Sequence, residues 1–158
     1  MSTTMTEPTF PDIELLLPHQ APMLLIDRVL STQDDTISCE VVIKQDSIFF
    51  NESLNGIPSH VGIEYMAQTI GALAGLKAHK KGEQAPIGLL LGGRSYKDVG
   101  LTYPLGQKLV VSAKLTMSDE SMGVYHAKIE LDGEEVASSQ VNAYVPSKDV
   151  LAQLTSAQ

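Results

Sequence analysis

Residues 60–76, HVGIEYMAQTIGALAGL, constrain the fold more than any other stretch of the chain. Val61, Ile63, Met66, Ile70, Leu73 and Leu76 recur at helical spacing, yet they do not keep to one narrow stripe. A helix that is apolar nearly all round must be covered on several sides. The spacing predicts a long helix over about residues 60–80. Ser59 is placed to cap its start. Lys77, Lys80 and Lys81 complement its negative end, and Gly82 stops it.

The rest of the chain supplies the cover. MLLIDRVLS (23–31) and TISCEVVIK (36–44) read as strands, with Asp34–Asp35 as the turn of a hairpin. PDIELLLP (11–18) suits a short helix between two prolines. Residues 47–59 read as a loop, punctuated by Asn55–Gly56 and Pro58. Strands follow at 85–100, 108–118 and 123–146. Asp132–Gly133 between two alternating runs signals a tight hairpin. Gly92–Gly93 marks a bulge or a close backbone approach. KDVLAQLT near the end suits a short amphipathic helix. Many strands with one segregated helix give an α+β class rather than alternating α/β, in one domain over 11–158 behind a loose tail at 1–10. A length of 158 residues suits one domain.

Charge narrows the function. A net charge of −8 lacks the basic footprint of a nucleic-acid binder. No apolar run reaches the roughly 18 residues that span a bilayer. The first ten residues carry neither a basic start nor an apolar core, so no secretory signal is read there. A lone cysteine, Cys39, fits a reducing cytoplasm and a small apolar role in a strand. The four histidines are dispersed, which argues against a metal site, and no phosphate-binding glycine loop suggests a nucleotide cofactor.

His60, Glu64 and Gln68 stand four apart along the predicted helix, so they share one face. Two environments fit this polar stripe. On a solvated stripe the three residues have no special role. If the stripe is buried, desolvation raises the pKa of Glu64 and makes it a proton donor. His60, near the positive helix end, then stays neutral and serves as a base. Free N–H groups at the helix start can hold a carbonyl oxygen as it gains charge. Acid, base and oxyanion site together suit proton abstraction next to a carbonyl. Gly62, Gly71 and Gly75 each weaken a helix interior by about 1 kcal/mol relative to Ala, so sheet, partner subunit or ligand is expected to approach there. Gly62, Gln68, Gly92 and Gly93 are the candidate substrate-contacting positions.

Two motifs carry a resemblance. LPHQAPMLLIDRV (17–29) resembles the opening segment of the hotdog-fold 3-hydroxyacyl-[acyl carrier protein] dehydratases. GIEYMAQTIGALAG (62–75) resembles their central-helix motif, in which a carboxylate precedes Met-Ala-Gln. A weaker third likeness lies over residues 94–109, with YPLGQKL at 103–109. The chain is most similar to the dehydratase subgroup associated with aryl polyene biosynthesis clusters. The resemblance implies a long helix wrapped in an antiparallel sheet, paired as a dimer. It implies a His that takes the Cα proton and a helix carboxylate that protonates the departing hydroxyl, the two coming from different subunits. Glu64 matches the carboxylate and Gln68 the glutamine after it.

The family's catalytic His belongs to a Gly-His-Phe-Pro-Gly loop. The matching region here, FFNESLNGIPS, carries Asn51, Glu52 and Ser53 and no His. Three readings stay open. The chain is a dehydratase in which His60 replaces the missing base. It is a thioesterase in which Glu64 activates water. Or it is a non-catalytic dehydratase-like subunit supporting a catalytic hotdog partner. The implied partners are an acyl carrier protein presenting substrate on phosphopantetheine, a second copy of the chain, or another hotdog subunit. No cofactor of the protein's own is implied. Arg28, Lys77, Lys80, Lys81, Arg94, Lys97 and Lys108 are the candidates for a basic landing patch.

Overall fold

The computed structural model describes residues 9–83, 90–119 and 122–144. Its centre is helix α1, Gly62–Lys80, which buries Tyr65, Met66, Gln68, Thr69, Ile70, Leu73 and Leu76. The residues still facing outward are fewer: Ile63, Ala67, Gly71 and Ala74 are half-buried, and Glu64, Lys77, His79 and Lys80 are exposed. This matches the apolar pattern that predicted a helix covered on several sides.

The cover is one antiparallel sheet. Its strands are β1 (Arg28–Gln33), β2 (Thr36–Val42), β4 (Leu90–Asp98), β6 (Lys108–Ser118), β7 (Met122–Leu131) and β8 (Glu134–Tyr144). They lie in the order β1-β2-β6-β7-β8-β4, so β1 and β4 are the edges. Alternation places Ile37, Cys39 and Val41 of β2, Leu109, Val111 and Ala113 of β6, and Ala127 and Ile129 of β7 in the buried layer. Burying an Ile, Leu or Val in such a layer is worth about 1.5–3 kcal/mol. The Asp132–Gly133 turn has positive φ at both residues, 53° and 81°, as a two-residue hairpin of the primed kind requires.

A second, two-stranded sheet pairs β3 (Gly56–Pro58) with β5 (Thr102–Pro104). The sequence reading has a loop in place of β3. Three residues whose partner strand is far away in sequence show too short an alternation to be recognised. Two other expectations shrink. The segment 11–18 holds only a 3-10 turn, Ile13–Leu15. The first strand begins at Arg28, and residues 23–27 form no strand. The expected terminal helix at 148–155 lies outside the described residues, as do 84–89 and 145–146.

The helix glycines answer to the chain itself. A Cβ on Gly75 would run into the backbone carbonyl of Leu16, and one on Gly71 would lie 2.8 Å from Leu17 Cδ2. The segment after the first 3-10 turn therefore crosses α1 at these two positions. Gly82, at φ 72°, closes the helix: its N–H bonds the His79 carbonyl at 3.0 Å, and the Glu83 N–H bonds the Ala78 carbonyl at 2.9 Å. Both bonds belong to a Schellman stop.

Candidate active site

Helix α1 starts differently from the sequence expectation. A 3-10 turn, Ser59–Val61, precedes it, so His60 lies in that turn and not in the α-helix. Ser59 does not cap the helix. Its hydroxyl instead donates to Asp98 Oδ2 at 3.2 Å, and no side chain caps α1. The Ser59 carbonyl accepts twice, from the Gly62 N–H that closes the turn and from the Tyr96 hydroxyl at 2.6 Å.

The predicted polar stripe splits into two environments. His60 and Glu64 are exposed on their own chain, whereas Gln68 is 4% exposed. The burial expected for Glu64 is thus not supplied by this chain. Gln68 is fully engaged with backbone. Its Oε1 accepts from the Leu25 and Ile26 N–H groups at 2.8 and 3.4 Å, and its Nε2 donates to the Met23 carbonyl at 2.7 Å. Residues 23–26 make few ladder bonds of their own, and Gln68 satisfies them from the helix. The structure therefore gives Gln68 a positioning role for the LPHQAPMLLID segment, where the sequence reading gave it substrate contact.

Gly62 is crowded. A Cβ there would collide with the Tyr96 hydroxyl and lie 2.7 Å from Ile129 Cδ1 and 3.1 Å from the Tyr103 hydroxyl. Two tyrosines from β4 and β5 approach the first helical residue, which only glycine permits. Tyr103 is 0% exposed and its hydroxyl stands beside that of Tyr96, whereas the buried Tyr65 hydroxyl has no hydrogen-bond partner among the described residues. Burial is the main reason that the phenols of Tyr65, Tyr96 and Tyr103 are held above their ordinary range.

Gly92 and Gly93 sit in regular register on β4, opposite Asn142 and Val141. Of the bulge or close backbone approach expected at this pair, the bulge falls just after it. Arg94 pairs with Gln140 and Lys97 with Ser138, so Ser95 and Tyr96 together oppose a single residue of β8. Ser95 has φ 53°, the left-handed backbone of such a bulge. Nothing in that register sets Gly92 or Gly93 beside His60 or Glu64.

The region that replaces the family's histidine loop is a closed turn. Asn51 and Gly56 exchange backbone hydrogen bonds, at 2.8 and 3.3 Å, and Asn51 Oδ1 accepts from the Leu54 N–H at 3.1 Å. Asn51, Glu52 and Ser53 are exposed there. His19, His79 and His126 are exposed as well, on separate elements. Among the basic candidates, Arg28 pairs with Glu40 and Lys77 with Asp35, while Lys80, Lys81, Lys97 and Lys108 are exposed. Cys39 is inert: it is buried in β2, and burial pushes its thiol up to about 12. A pocket of about 250 Å³ lies elsewhere, between Leu25, Val41, Ile57 and Tyr65, with the Asp27–Lys44 ion pair at its wall. It includes neither His60 nor Glu64.

Sequence reasoning missed Asp98 as a part of this region; it offers Tyr96 and Tyr103 as lining for a tunnel mouth or as core packing, without placing them at the helix start. Ser-Tyr-Lys-Asp at 95–98 carries no local signal, because its meaning depends on a bulge at a non-glycine residue.

Known proteins place this geometry. A family model described as ApeP-like, ApeP dehydratase, matches residues 11–155. A 3-hydroxyacyl-[acyl-carrier-protein] dehydratase FabZ of Streptococcus uberis is 32% identical over 139 residues, 86% of this chain and 96% of the relative. The FabZ of a Streptococcus pneumoniae strain is 36% identical over 133 residues, 80% of this chain and 90% of the relative. A chain of the dehydratase heterocomplex ApeI:P from Xenorhabdus doucetiae superposes with a TM-score of 0.84 at 29% identity, covering 93% of this chain and 99% of that one. An uncharacterized Pyrococcus horikoshii protein shares the fold at TM-score 0.63 and 15% identity, covering 90% and 99%.

Proposed function

Because the chain belongs to the ApeP-like dehydratase family, we propose that it dehydrates a 3-hydroxyacyl thioester carried on an acyl carrier protein, giving the trans-2-enoyl thioester. The setting is fatty acid or aryl polyene type synthesis. The chain is a dehydratase of hotdog fold. The observation that carries the site assignment is the place of Glu64, the one carboxylate of α1, in the first turn of that helix.

The chemistry needs one proton removed and one delivered. His60 takes the Cα proton of the bound thioester. Glu64, protonated, gives its proton to the departing 3-hydroxyl, which leaves as water as the Cα–Cβ double bond forms. First-turn N–H groups of α1 beyond Gly62, whose own N–H is bonded to Ser59, stabilise charge on the thioester oxygen. Gly62 keeps a side chain out of this end of the helix.

An exposed carboxylate is not yet a tuned acid. A neighbouring subunit that covers the N-terminal face of α1 would exclude water from Glu64. Strand β4, an edge of the sheet among the described residues, would extend the sheet into such a subunit. The related Xenorhabdus protein forms a heterocomplex, which supports pairing with a second hotdog subunit here. The same likeness, with Asn51, Glu52 and Ser53 where the family base would stand, supports one further reading: the partner contributes the base, and this chain contributes Glu64 or the scaffold.

The test is the purified protein mixed with a 3-hydroxyacyl carrier protein, alone and with its co-purifying subunit, followed by mass spectrometry of the acyl group. Loss of one water that falls by about a hundredfold or more in Glu64→Gln is the expected result. Dehydration that survives Glu64→Gln would remove Glu64 from the mechanism, and release of free acid would mean a thioesterase. Activity that needs the partner and survives His60→Ala would place the base on the partner.

A further inference from the structure

The turn that carries His60 is held by a strand far away in sequence. In β8, Ala137, Ser139, Val141 and Ala143 form the buried face, and Asp98 stands opposite Ala137. Asp98, and Tyr96 two residues before it, therefore point toward the helix side of the sheet. Their inward direction depends on the bulge. Continued without it from Arg94↔Gln140, the register would set Tyr96 opposite Ser138, on the outward side. Ser95 takes up φ 53° at that point, and the strand resumes with Tyr96 turned inward.

Once turned inward, Tyr96 and Asp98 grip Ser59 at both of its polar ends. The Tyr96 hydroxyl donates to the Ser59 carbonyl at 2.6 Å, and Asp98 Oδ2 accepts from the Ser59 hydroxyl at 3.2 Å. Asp98 is itself oriented by the Gly100 N–H, at 2.7 Å from Oδ1. The Ser59 carbonyl also receives the Gly62 N–H, so both of its acceptor sites are filled and the 3-10 turn is locked. His60 is the next residue, and its side chain is exposed. Nothing local replaces this grip, since no side chain caps the turn or α1.

We propose that Tyr96 is a positioning residue for the dehydration site: its hydroxyl, aimed by the Ser95 bulge, fixes the Ser59–Val61 turn and so sets where His60 stands relative to Glu64. The inference rests on the assignment of His60 and Glu64 made above. Misplacing a reacting group by about 1 Å can cost about a hundredfold in rate. Removing one of two holds on the turn should cost less.

The experiment is Tyr96→Phe in the assembly as purified, which keeps the ring and removes only the donor. Two readouts are taken at a temperature where both proteins are fully folded. Steady-state kinetics should show kcat reduced on the order of tenfold with KM within about twofold, because binding is retained and alignment is lost. Nuclear magnetic resonance of the His60 ring, without substrate, should change from one set of signals to shifted or exchange-broadened ones. Wild-type kcat in Tyr96→Phe overturns the proposal, as does an unchanged His60 spectrum. His60→Ala is run beside it. Full turnover in His60→Ala removes His60 as the base, yet the spectrum of Tyr96→Phe still decides whether the clamp holds the turn.

Discussion

The two ends of α1 are finished by opposite means. At the C-terminal end the stop itself is local: Gly82 turns left-handed, its own N–H and those of its neighbours satisfy the last carbonyls, and Lys80 sits in the last turn. At the N-terminal end almost nothing is local. Ser59 has its cap diverted to Asp98, its carbonyl is taken by Tyr96, and the buried Tyr103 hydroxyl stands by Gly62 and Tyr96. A stop made of local parts serves the fold alone. A start made of side chains from two other strands ties the helix end to their positions, which suits an end where chemistry is placed.

Alkaline titration should separate the ends most strongly. The folded-state phenols of Tyr65 and Tyr103 are raised above the ordinary value of 10, chiefly by burial, with Asp27 adding for Tyr65 and Tyr96 for Tyr103. Above pH 10 the unfolded chain loses these protons while the folded one keeps them, so the folded state binds more protons and stability falls as pH rises. Their contribution is complete below pH 10 and is lost at about 1.4 kcal/mol per pH unit for each tyrosine above it. Chemical denaturation between pH 8 and pH 12 measures this. Hydrogen exchange should show the first turn of α1 opening before the last, and a loss beginning at the Gly82 end would break the comparison.

Putting alanine at each end tests the same contrast. Gly62→Ala forces a methyl group against Tyr96 and Ile129 Cδ1, and should cost about 2 kcal/mol in stability together with at least tenfold in turnover. Gly82→Ala meets open space but a left-handed backbone. It should cost about 1 kcal/mol in denaturant and leave turnover per folded molecule unchanged. If both variants lose turnover alike, the two ends are not functionally distinct. The smallest effect belongs to Tyr65→Phe, which deletes a buried hydroxyl that has no partner among the described residues. Stability should stay level or rise by up to about 1 kcal/mol, and a fall of that size would reveal a bond made in the assembled protein.

Legibility in the sequence followed the same division. Strand β6 runs over Lys108–Ser118 as its alternation predicts, and the Asp132–Gly133 hairpin follows from turn chemistry alone. The site was only half legible. Glu64 and Gln68 share spacing and polarity, yet one is exposed and the other is buried against the 23–26 backbone. Helical periodicity states which residues share a face and says nothing about what covers each turn of it. Sheet β3–β5 was illegible because its strands are three residues each, and the Tyr96 grip because its cause is a non-glycine residue at positive φ. Ser59 looked like a cap because the sequence does not display Asp98 as its competitor.

The Ser95 bulge has a consequence for whatever lies along the open side of β4. A strand's outward donors and acceptors alternate like a wave, and one extra residue shifts that wave by half a period. The edge from Leu90 to Asp98 is therefore two short wave trains out of step with each other. A regular strand laid beside it stays in step with one train and falls out of step with the other, unless it carries a matching slip. The edge thus selects a neighbour by phase as well as by composition, much as a single notch admits one key.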